Sequence, residues 1–70
     1  MASKIWTDSS NPPRSVSDAL GIERWELGAA IHKIKAKNGL SPPDAVHIWN
    51  DGSVTDAASG DYLGNIYDEI

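Results

Sequence analysis

Apolar residues recur at helical spacing between residues 23 and 38 and at alternating spacing beyond residue 45. At about 100° per residue, Leu27, Ile31 and Ile34 share one stripe, with Ala30 at its edge. Trp25, Ala29, His32 and Ala36 form a second stripe on nearly the opposite side, and Glu26, Lys33 and Lys37 lie between the two. This pattern predicts a helix from about Glu23 to Asn38. Its end is well marked: Asn38-Gly39 supplies a left-handed cap, Leu40 can fold back on the last turn, and Pro42-Pro43 forbids continuation. Lys33, Lys35 and Lys37 fall in the final turns, where the helix dipole favours cations.

The last third reads as strands at Ala45 to Trp49, Ser53 to Asp56 and roughly Tyr62 to Tyr67. Asn50-Asp51-Gly52 joins the first two. A three-residue loop with Gly52 in the bulge position pairs Ile48 with Val54 and puts Val46 on their face. That register groups the aliphatics, so it is preferred over a two-residue Asp-Gly loop. His47, Trp49, Ser53 and Thr55 then occupy the other face. Ser59-Gly60-Asp61 makes the next turn, and Gly64 marks a bulge or a close backbone contact.

Ahead of the long helix, Ser3 to Trp6 reads as a short extended segment and Thr7 to Arg14 as a loop. Ser15-Val16-Ser17-Asp18 offers a weak capping signal for a short helix that runs through Leu20 and stops at Gly21. The expectation is one α+β domain over 1–70, with an extended segment and loop at 1–14, helices at 15–39 and a sheet at 45–68. The short helix and the long central helix would pack on a three-stranded antiparallel β-meander. The sheet would cover the Leu27 stripe, while Ile5, Trp6 and the N-terminal loop cover the Trp25 stripe.

Seventy residues allow one domain, and a chain of that size buries only about 60% of its unfolded surface. The absence of cysteine excludes disulfides and thiolate metal sites. Hydrophobic content of 40% suffices for a core, and the three tryptophans are expected to supply much of its buried area. The net charge of −4 opposes non-specific attraction to nucleic acid and anionic lipid. No run approaches the roughly 18 apolar residues of a membrane span. Met1 to Trp6 lacks the long apolar stretch of a signal peptide, so the expected location is the cytoplasm.

One order of residues is familiar. Glu26-Leu27-Gly28-Ala29-Ala30-Ile31-His32-Lys33-Ile34-Lys35 is followed by Gly39-Leu40, Val46-His47-Ile48, Gly52-Ser53-Val54-Thr55-Asp56 and Gly60-Asp61-Tyr62-Leu63-Gly64-Asn65-Ile66-Tyr67-Asp68. Over roughly residues 24–68 this resembles the short C-terminal domains of bacterial polymorphic toxins of the Rhs and contact-dependent inhibition types. The resemblance implies a small bacterial toxin-like domain, with ribonuclease activity frequent among such domains. The acidic balance departs from the cationic groove a nuclease needs.

A metal-independent ribonuclease requires a base, an acid and a cation for phosphate. The histidines, His32 and His47, are the candidate acid and base; Lys33 or Lys35 would hold phosphate, and Asp51 or Asp56 could orient a histidine. Two unrelated histidines are the plainer alternative. Asp51, Asp56, Asp61, Asp68 and Glu69 are scattered through turns without calcium-loop spacing, so no metal and no cofactor are expected.

A helix-turn-helix would present Glu23, Arg24, Trp25, Gly28, Ala29 and His32 to a groove, a poor surface for duplex DNA. A third reading is a non-catalytic module whose Trp25 and Trp49 contact a protein partner or a second copy of the chain.

Overall fold

The computed structural model describes residues 2–8 and 12–70. The order is strand β1 (Lys4–Asp8), helix α1 (Arg14–Leu20), helix α2 (Arg24–Lys37), then strands β2 (Val46–Trp49), β3 (Ser53–Asp56) and β4 (Tyr62–Asn65), with a closing 3-10 turn over Ile66–Asp68. The strands form one antiparallel sheet in the order β1-β2-β3-β4. It is a small α+β fold with both helices on one face of the sheet.

Four strands replace the expected three. The N-terminal segment does not cross to α2 but pairs with β2, setting Trp6 opposite Ile48, Thr7 opposite His47 and Asp8 opposite Val46, with a bulge at Ile5. Five residues beside a polar stretch are too short to display alternation, so pairing with β2 decides their state. The loop read from Thr7 to Arg14 is shorter than expected at both ends, and its residues 9–11 lie outside the described residues.

Helix α1 begins at Arg14, with Pro13 at its N-cap and no side-chain cap. The Ser15 signal is not used. Ser17 is buried and its hydroxyl donates to the Arg14 carbonyl at 2.9 Å. Gly21, at φ 70°, closes the helix. Helix α2 opens with a reciprocal capping box between Glu23 and Glu26. It ends in a Schellman pair: Gly39 N–H reaches the Ala36 carbonyl at 3.3 Å and Leu40 N–H the Lys35 carbonyl at 2.9 Å.

The core is aliphatic. Val16 and Leu20 of α1, Leu27, Ala30, Ile31 and Ile34 of α2, Val46, Ile48 and Val54 of the sheet, and Ile66 are all buried. The tryptophans stand outside it, contrary to expectation: Trp25 is 73% exposed, Trp6 sits at the sheet edge and Trp49 is half-buried. The Leu27 stripe is covered as its spacing predicts, whereas Trp25, Ala29, His32 and Ala36 are exposed: Ile5 and Trp6 have joined the sheet, and of the described loop residues Pro12 reaches only the Arg24 edge of α2.

Ile48 pairs with Val54, the three-residue-loop register. Gly64 lies next to a bulge, one of the two alternatives expected of it. It follows the irregularity at Leu63, and a methyl group there would lie 3.4 Å from Ile34 Cγ1. The last strand stops at Asn65, two residues early, because Asn65 Oδ1 accepts the Tyr67 N–H at 2.9 Å and turns the chain.

Candidate functional site

Two surfaces hold the residues with chemical potential. The outer sheet face carries a row across all four strands: Thr7, His47, Thr55 and Tyr62. Alternation puts them there, opposite Val46, Ile48 and Val54. His47 Nδ1 lies 2.8 Å from Thr7 Oγ1, and the Trp49 indole N–H donates to Thr55 Oγ1 at 3.0 Å. Tyr62 is exposed. Thr7 as partner of His47 was not legible, since the strand carrying it was not.

The second surface is the solvent side of α2. Trp25, Ala29, His32 and Ala36 are all exposed along it. Beside Trp25 lies a shallow groove of about 510 Å³ lined by Pro12, Arg24, Trp25, Gly28 and Ala29. Arg24 Nε donates to the Pro12 carbonyl at 3.2 Å, which seats buried Pro12 against the helix. Arg14, Asp18, Ile22 and Glu23 line an adjoining depression. Pro12 and Arg14 carried no sequence signal for this surface, because their placement depends on how the α1–α2 pair folds.

The two histidines do not converge. His32 sits on the solvent side of α2, His47 on the far side of the sheet, and the core lies between them. The lysines divide too. Lys35 is 4% exposed and its ammonium donates to the Pro42 carbonyl at 2.6 Å, so it anchors the loop after α2 and does not face solvent. Lys33 donates to the Glu69 carbonyl at 3.4 Å, and Lys37 contacts both Glu69 carboxylate oxygens at 2.8 Å. These bonds hold the C-terminal residues against α2.

Asp51 and Asp56 serve turns. Asp51 Oδ1 accepts the Ser53 N–H at 3.0 Å, and Asp56 Oδ1 accepts the Ala58 N–H at 2.7 Å. The Ser53 N–H, then the Ser53 hydroxyl, holds the Asp51 carboxyl below the ordinary aspartate value. Among the described residues, no group of three or more His, Asp or Glu side chains is placed to hold a metal ion. None of the described helices is long and apolar enough to cross a membrane.

Comparison with family models, with curated proteins and with solved structures finds no match to this chain.

Proposed function

We propose that the chain is a non-catalytic protein-interaction module that docks through the solvent side of α2. The observation that carries this reading is Trp25, 73% exposed on a helix whose neighbouring surface is small and apolar at Gly28 and Ala29. A tryptophan left in water loses the area it could bury, and Trp and Arg are the side chains most enriched where protein partners bind tightly. Arg24 flanks Trp25 in the groove. The divergence of His32 and His47 supports the same reading, because an acid and a base must reach one phosphodiester together.

The test is a photo-crosslinking side chain at position 25, with position 62 on the sheet as control, in extracts of the native cells. The expected result is one discrete protein adduct from position 25, absent from position 62. An RNA adduct, or no protein adduct from position 25 together with a chain that stays monomeric, overturns the proposal.

RNA cleavage by a toxin-like domain is the second reading. It rests on the resemblance over residues 24–68 and on the Thr7–His47 contact, which fixes the imidazole on an open sheet face. In this reading either His47 transfers the proton on the sheet face, or His32 does so on α2, where Lys33 holds phosphate. Cleavage of short RNA that is lost in His47→Ala and kept in Trp25→Ala would establish it over the docking module.

A further inference from the structure

We infer that the occupant of the α2 face is a second copy of this chain, docked antiparallel through a two-fold axis. The inference rests on the docking reading above and names its partner.

The exposed stripe is Trp25, Ala29, His32 and Ala36, with successive spacings of four, three and four residues. That is the seam spacing by which two helices pack knobs into holes. Side-chain size alternates along it: large, small, large, small. An antiparallel copy centred between Ala29 and His32 sets each Trp25 against the second copy's Ala36, and each His32 against the second copy's Ala29. Every large side chain then meets a small one, in both directions at once, as a two-fold interface requires. A parallel copy in register would instead set Trp25 against the second copy's Trp25.

Charge selects the same arrangement. Beside the seam, on the same flank, lie Glu26 near the start of α2 and Lys33 near its end. Antiparallel docking brings Glu26 opposite the second copy's Lys33, and the symmetry repeats the pair. Lys33 is exposed, and its bond to the Glu69 carbonyl is long at 3.4 Å, so its ammonium can turn to the carboxylate. The helix dipoles also oppose each other in this pairing. On the opposite flank Gly28 has open space where a side chain would stand, which lets the two backbones approach.

A helix of 14 residues spans about 21 Å, so the shared face falls short of the ~800 Å² per partner typical of stable complexes. The dimer is therefore weak, with a dissociation constant of order 100 µM.

Sedimentation equilibrium from about 20 µM to about 1 mM tests this directly. The expected mass rises from 7.5 kDa towards twice that value. Ala36→Glu, at an exposed position, places a carboxylate against the second copy's Trp25 and should keep the chain monomeric throughout. Lys33→Glu should weaken association roughly tenfold by turning both cross-copy pairs repulsive. A constant 7.5 kDa for the parent chain at about 1 mM overturns the self-docking proposal, as does an Ala36→Glu chain that still dimerises. An adduct of another protein at position 25 beside a monomeric chain would overturn self-docking alone. Neither adduct nor dimer would overturn the docking module as well.

Discussion

The Tyr67 hydroxyl donates to the Leu20 carbonyl at 2.6 Å, across 47 positions of sequence. Leu20 is the last residue of α1, where helical carbonyls have no partner within the helix. The bond therefore ends a helix and fastens the C-terminal turn in one contact. Tyr67→Phe should cost about 0.5–1.5 kcal/mol in urea unfolding, with an unchanged fold. A variant as stable as the parent would show that water serves Leu20 equally well.

Gly52 sits under the same tyrosine. Its φ is +88°, and a methyl group there would lie 2.7 Å from both Asn65 Oδ1 and Tyr67 Cδ2. Gly52→Ala thus adds backbone strain to a collision that displaces the Tyr67 ring. The expected loss is about 2–4 kcal/mol, larger than for Tyr67→Phe. A smaller loss would mean that the hairpin turn relaxes independently of the C-terminal turn.

Lys35 is a buried cation whose ammonium is tied to the Pro42 carbonyl. Lys35→Ala removes that charged hydrogen bond and the packing of the long stem, and should cost about 1.5–3 kcal/mol. Amide exchange should rise in residues 39–45 more than elsewhere. Uniform exchange would contradict the anchoring role.

Asp51 gives a pH dependence with a definite sign. Its carboxyl is held below the ordinary aspartate value by the Ser53 N–H and hydroxyl. A lowered folded-state pKa contributes stability above the unfolded-state value, and that contribution disappears as pH falls through the folded-state value. Asp51→Asn should therefore be less stable than the parent at neutral pH, with the gap closing through the acid range. A gap independent of pH would assign the effect to geometry rather than charge.

Much of this fold was legible in the sequence. The Asn38-Gly39 stop fixed the end of α2, the Leu27, Ile31 and Ile34 spacing fixed its buried side, and Val46, Ile48 and Val54 fixed the hairpin register. Each of those signals is local. What the sequence hid depends on long-range pairing: Ile5 and Trp6 carry no mark saying whether they meet α2 or β2, and their choice of β2 both adds a strand and bares Trp25. The candidate site followed suit. Trp25 was legible as an apolar residue on the second stripe, covered or open to a partner, and only the long-range pairing decides between the two. His32 and His47 were legible as proton carriers, and only the two-layer packing places them on opposite sides. Lys35 looked like its neighbours Lys33 and Lys37, yet it points at the loop after α2 and they reach the C-terminal residues.

The docking face of α2 is tested most directly by amide and indole NMR spectra of the parent chain across a concentration series. Shifts confined to the Trp25 indole and to the amides of Gly28, Ala29, His32 and Ala36 are the predicted result. Shifts centred on Thr7, His47 and Tyr62, or spectra unchanged up to about 1 mM, would contradict self-docking through α2.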